Sequence, residues 1–164
     1  MIIVGFDPGL ATLGYGVIEK TKTQKPKMVD YGIVSTPKEE NLATRLVLIE
    51  KGVKQIIEKF HPDEIAVEEL FFAKNVTTGI NVAHARGVLL LTAVKECGKL
   101  FEYTPLQIKQ ALTGYGRADK RQIQAMVKTA LNLNGIPRPD DAADALAVAL
   151  CHAQTNKLGG LFSI

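Results

Sequence analysis

Tryptophan is absent from this 164-residue sequence, aromatic residues make up only 6% of it, and cysteine occurs twice. Cys97 and Cys151 stand in apolar, helix-like contexts with no CxxC pair and no Cys/His spacing of the kind that holds zinc. A disulfide scaffold is excluded, and two buried thiols fit a reducing, cytoplasmic setting. No basic leader precedes an apolar run, and no apolar stretch approaches the ~20 residues that span a bilayer. The expectation is a cytoplasmic protein without membrane attachment. Strong charge of one sign is also missing: 20 Lys+Arg oppose 17 Asp+Glu, a net charge of +3. That balance does not announce a nucleic-acid partner, because binding depends on where the charges lie. Repeats, low-complexity tracts and linkers are lacking too, so residues 1–156 read as one domain followed by a short tail at 157–164.

What is present begins as strands. Residues 2–7 (IIVGFD) form an almost continuous apolar run ending in an acid and Pro8-Gly9, the pattern of a buried strand closed by a turn. Strands are predicted at 13–20 and 28–36, joined by a Lys/Pro-rich hairpin tip. Leu42, Leu46, Ile49, Val53, Ile56 and Phe60 then recur at helical spacing, and His61-Pro62 sets the end of that helix. A fourth strand is expected at 64–70, parallel to the first, then a helix at about 78–96 and a short strand at 100–104. The 88–94 segment (VLLLTAV) is apolar on every side, so the helix is either wrapped by the domain or shared with another subunit. Two helical segments flank TGYGRAD, and a last helix follows PRPDD. The order β-β-β-α-β-α-β and then helices predicts an α/β domain of three layers, a mixed five-stranded sheet with helices on both faces.

Four acids are costly where they stand. Asp7 and Glu68 end strands that should be buried, where a carboxylate needs a partner or a metal. Each also has an ordinary reading: Asp7 can begin an Asp-Pro-Gly turn, and Glu68 can meet solvent at a strand end. Alternation puts one of Glu68 and Glu69 on the side of Ala66 and the other on the side of Val67. Asp141 and Asp144 are three apart on one helix, so their directions differ by about 60° and both can serve one site. Asp140 or Asp141 could be a simple N-cap, but capping does not explain Asp144, set among Ala, Leu and Val. If the last helix crosses the ends of strands one and four, these carboxylates converge. Such a cluster calls for hard divalent cations, Mg²⁺ or Mn²⁺, and two ions at such a site are suited to phosphodiester hydrolysis.

The segments GFDPG and GYG at 5–16, AVEELFFAKN at 66–75, ARG at 85–87, QIKQALTGYGRADK at 107–120 and DAADALA at 141–147 resemble the RuvC-type Holliday-junction resolvases, over essentially the whole chain. The resemblance implies a ribonuclease-H-like fold, a homodimer, a branch-migration complex as partner, and Mg²⁺-dependent paired nicking of four-way DNA junctions. It matches Asp7, Glu68, Asp141 and Asp144 to the family's catalytic, metal-binding acids. Phe71, Lys74, Lys109, Arg117 and Lys120 become the expected DNA contacts. Glu69 departs from the pattern as a second acid, either tuning the site or meeting solvent. The rival readings are a related nuclease acting on RNA or non-junction nucleic acid, a nucleotide-binding domain of the actin/sugar-kinase type, and a non-catalytic junction-binding module. From Lys99 to Lys128, six basic residues oppose two acids, which supplies a surface for phosphates.

Overall fold

The apolar alternation in the first third of the chain resolves into three antiparallel strands: β1 (Ile2–Asp7), β2 (Thr12–Glu19) and β3 (Lys27–Ser35). The structure, a computed structural model, describes residues 1–70 and 76–155. Helix α1 (Leu42–Phe60) starts where the Asn41 side chain accepts the Thr44 N–H at 3.0 Å and stops at His61, in the left-handed region at φ 46° ahead of Pro62. The chain then enters β4 (Glu64–Glu68), parallel to β1. After α2 (Val76–Glu96) comes β5 (Leu100–Tyr103), parallel to β4, so the sheet order is β3-β2-β1-β4-β5. Helices α3 (Pro105–Thr113), α4 (Lys120–Ala130) and α5 (Asp140–Thr155) complete the chain.

Side-chain alternation divides the core between the two sheet faces. Ile3 and Ala66 pack with α3, α4 and α5 on one face. Val4, Phe6, Ile65 and Val67 pack with α1 and α2 on the other. The expected three-layer architecture is therefore formed. Strand β4 ends at Glu68, two residues earlier than expected. Around α2 the alternative of a helix wrapped by its own domain is overturned: Ala85, Leu89, Thr92 and Ala93 are buried, while Leu91 is 63% and Val94 50% exposed. The expected tail at 157–164 lies outside the described residues. Cys97 and Cys151 are both free thiols, and no described helix is long and apolar enough to cross a membrane.

Helix α5 lies against the sheet at backbone distance. A Cβ on Gly5 would stand 2.3 Å from the Ala145 carbonyl oxygen, one on Gly14 2.0 Å from that of Asp141, and one on Gly16 2.7 Å from the Leu146 nitrogen. Gly5 and Gly16 are cross-strand partners, so the three glycines form one bare patch on β1 and β2. Glycine inside a strand is locally unfavourable, and here it is what lets another backbone approach.

A buried polar chain anchors the far end of α5. His152, 1% exposed, bonds Glu64 Oε2 through Nε2 at 2.8 Å and the Tyr103 hydroxyl through Nδ1 at 2.7 Å. Burial lowers the imidazole pKa against the pull of Glu64, and burial raises the Tyr103 phenol to about 12. Neutral His152 therefore donates Nε2–H to the carboxylate and accepts the phenolic proton at Nδ1. His152→Ala is expected to cost about 2–4 kcal/mol by combining a cavity with a broken buried network. Thermal unfolding measures this, and a change below about 1 kcal/mol would show the network to be incidental.

Candidate active site

Three elements bring acids together at one end of the sheet. Asp7 ends β1, opposite Gly14 of β2, and shares the face of Ile3 and Gly5. In the parallel β1/β4 register Phe6 pairs with Val67, so Asp7 and Glu68 follow as neighbours, and their side chains share a hydrogen bond. The bare glycine patch then lets the first turns of α5 descend over this end of the sheet. Asp141 sits with its backbone on Gly14, and Asp144 lies one turn further along.

The electrostatics record the crowding. Burial, then the charges of Glu68, Asp144 and Asp141, push the Asp7 carboxyl up to about 8. Burial and Asp144 likewise raise Glu68, and burial raises Asp144 despite an opposing lysine. That lysine is Lys120, whose Nζ lies 3.1 Å from Asp144 Oδ2 and 3.4 Å from Asp140 Oδ2. Partial burial works against the Lys120 charge, but its bond to Asp144 and the two carboxylates raise its pKa overall. Lys120 is placed by the start of α4: Asp119 and Gln122 form a reciprocal cap, and the Tyr115 hydroxyl donates to Gln122 Oε1 at 2.9 Å. The TGYGRAD segment is therefore an ordered approach to Lys120.

A cavity of about 240 Å³ opens beside the acids, lined by Glu68, Lys109, Lys120 and Asp144 over an apolar floor that includes Ile108 and Ile123. Arg117 is exposed on the connection between α3 and α4. Phe71 and Lys74 lie outside the described residues. Glu69 points away: it is exposed, on the opposite face from Glu68, and its charge acts on Arg86 of α2. Asp140, read from the sequence only as a cap, belongs to the rim, where Gln124, Arg138 and Lys120 hold it. The signal for it was its place one residue before Asp141.

Among the described residues no three His, Cys, Asp or Glu side chains already form a coordination shell. The donors are nonetheless of the right kind: hard oxygens, half-buried, mutually repelling, with His152 committed elsewhere. A pH prediction follows from the raised carboxyls. Asp7 unfolded titrates near 3.8, so from about pH 4 to 8 the folded state holds a proton that the unfolded state has released. Without divalent cation, stability should be greatest below that window and fall as pH rises through it. Added Mg²⁺ should flatten the slope, and a pH series of thermal melts with and without EDTA reads this directly.

The profile of the family described as crossover junction endodeoxyribonuclease RuvC matches residues 3–152. The chain belongs to the RuvC family. A RuvC of Clostridioides difficile (strain 630) is 54% identical over 158 residues, 96% of this chain and 93% of that one. A RuvC of Alkaliphilus oremlandii (strain OhILAs) is 53% identical over 164 residues, covering 100% and 99%. Among solved structures, that of Thermus thermophilus RuvC in complex with a Holliday junction substrate superposes with a TM-score of 0.93 at 35% identity, covering 100% of this chain and 99% of the other. RuvC membership fits a sheet order and helix placement of the ribonuclease-H-like kind, with acids at the ends of the two central strands.

Proposed function

We propose that this RuvC-family protein is a structure-selective endonuclease that resolves four-way DNA junctions by paired nicks, in recombination and DNA repair. The observation that carries the reading is the meeting of Asp7, Glu68, Asp141 and Asp144 at one end of the sheet, beside a cavity that Lys109 and Lys120 also line. These four acids would hold Mg²⁺, with Mn²⁺ able to substitute and two ions per site. Bound there, the ions would supply an activated water and charge stabilisation at the scissile phosphate.

The protein's own groups account for the rest. Lys109 and Lys120 face the cavity and would receive phosphate oxygens, Lys120 exchanging its carboxylate partners for the DNA backbone. Arg117 extends this surface from the loop between α3 and α4, and Phe71 and Lys74 would meet bases and backbone. A two-fold dimer would present two such sites to the two equivalent strands of a junction. Leu91 and Val94, exposed on the apolar segment of α2, supply a surface suited to that interface.

The deciding experiment is an Mg²⁺-dependent cleavage assay on a fixed and a mobile four-way junction beside hairpin, linear duplex and RNA/DNA hybrid. Nicked duplex products from the junctions, with little cleavage of the others, are expected. Equal cleavage of the hybrid would favour a general ribonuclease-H-like activity. A branch-migration complex as partner rests on family membership alone and is tested by co-assembly on a junction.

A further inference from the structure

The end of the molecule opposite the acids carries a groove that the nuclease reading does not use. Asp7 marks one end of β1. At the other end the Lys20 N–H bonds the Met1 carbonyl at 2.8 Å, and the Lys20 ammonium donates to the Ala153 carbonyl at the last turn of α5. Six residues of strand put these poles roughly 20 Å apart. Between the β2–β3 hairpin tip and the C-terminal half of α4 runs a groove of about 640 Å³, continued toward α5 by a second hollow that shares Gln24, Lys25, Pro26, Thr129 and Ala130 with it.

The groove has a consistent chemistry. Its floor is apolar: Met28, Ala130, Leu131 and Leu133, with Met126, 39% exposed, in the adjoining hollow. Its rim is basic: Lys20, Lys25 and Lys27 line it, and the exposed Lys22 and Lys128 belong to the same two segments. Residues 20–29 and 120–139, which supply nearly all of the lining, contain no acid. Two acids adjoin the hairpin segment: Glu19, cross-strand from Lys27, and Asp30, which pairs with Lys59 at 3.2 Å. Among the described residues Lys22, Lys25, Lys27 and Lys128 enter no ion pair, unlike Lys120 and Arg138 at the catalytic pole.

The geometry points to a docking site for an acidic amphipathic segment of a partner protein, one that sets two or three large apolar side chains on the floor and carboxylates against the lysine rim. Phosphodiester backbone would match the lysines but gain nothing from Met126, Met28 and Leu133, whereas an amphipathic segment uses both features. The position leaves the acids and their cavity free, so the occupant and the DNA substrate can be held at once. The inference does not rest on the catalytic reading.

Fluorescence anisotropy with a labelled synthetic peptide of about 15 residues, Leu at i, i+3, i+4 and i+7 and Glu elsewhere, tests it. Saturable binding is expected. It should weaken at least about tenfold for the double variant Lys25→Glu/Lys27→Glu, for Met126→Asp, and for a peptide with Gln in place of Glu. Asp7→Asn should bind the peptide normally, and both groove variants should nick a junction at the unaltered rate. Absence of peptide binding would overturn the proposal. So would polyglutamate binding as tightly as the peptide, or duplex DNA displacing the peptide with the same lysine dependence, which would assign the groove to nucleic acid.

Discussion

Asp7→Asn is expected to lower junction nicking roughly 10³-fold or more, with junction affinity changed by no more than about threefold. The substitution keeps the shape of the side chain and removes the charge a cation needs, while the basic surface of Lys109, Lys120 and Arg117 stays intact. It also removes the carboxyl most strained by burial and by Glu68, Asp144 and Asp141. The variant should therefore melt at the same or a higher temperature than wild type in EDTA, and should gain less from Mg²⁺. This opposite movement of activity and stability separates a site carboxylate from a structural turn former. A cooperative loss of folding, binding and nicking would show that Asp7 serves the Asp-Pro-Gly turn instead.

Gly14→Ala should be nearly as damaging, although glycine carries no chemistry. The added methyl would fall 2.0 Å from the Asp141 carbonyl oxygen and 2.5 Å from its carbon, both backbone atoms that cannot swing aside. The N-terminal turn of α5 must lift, carrying Asp141 and Asp144 from Asp7 and Glu68. A shift of about 1 Å at a reacting centre can cost 10²-fold in rate, and overpacking of this kind costs about 1–3 kcal/mol. The expected result is a roughly 100-fold slower nick, a melting temperature lower by several degrees, and weaker stabilisation by Mg²⁺. Gly135→Ala, where a methyl meets nothing within 4 Å, is the matched control. Wild-type activity of Gly14→Ala would mean that α5 can move without consequence for the acids.

The strands and helices were legible because their periods are clean. The IIVGFD run, the three-and-four spacing of α1 and the alternation through β4 each report burial on a known face. Asp144 was legible for the same reason, as a charge where Ala, Leu and Val predict packing. The glycine patch was not, since Gly5, Gly14 and Gly16 look like ordinary strand glycines until the helix that rests on them is placed. Nor was the chain from Glu64 through His152 to Tyr103, whose members are distant in sequence and meet only because β4, β5 and α5 converge. For Glu69, alternation said only that it and Glu68 part to opposite sides; the structure shows its charge acting on Arg86, which pairs with Glu102. Lys120 was expected beside DNA; its pairing with Asp144 shows that the lysine also moderates the repulsion among the acids.

Ala142, Ala143 and every residue from Ala145 to Ala153 are buried, so the helix that carries two of the four acids is also the centre of the core on its face of the sheet. With its backbone seated on Gly5, Gly14 and Gly16, its release should open β1 and β2 with it. Amide hydrogens along it should therefore exchange with solvent only when the whole domain unfolds, at the slowest rate in the molecule. A cation gripping Asp141 and Asp144 would then slow exchange everywhere at once, in β1 and β2 as much as beside the ion. The occupancy of the site becomes readable from any slowly exchanging amide in the protein.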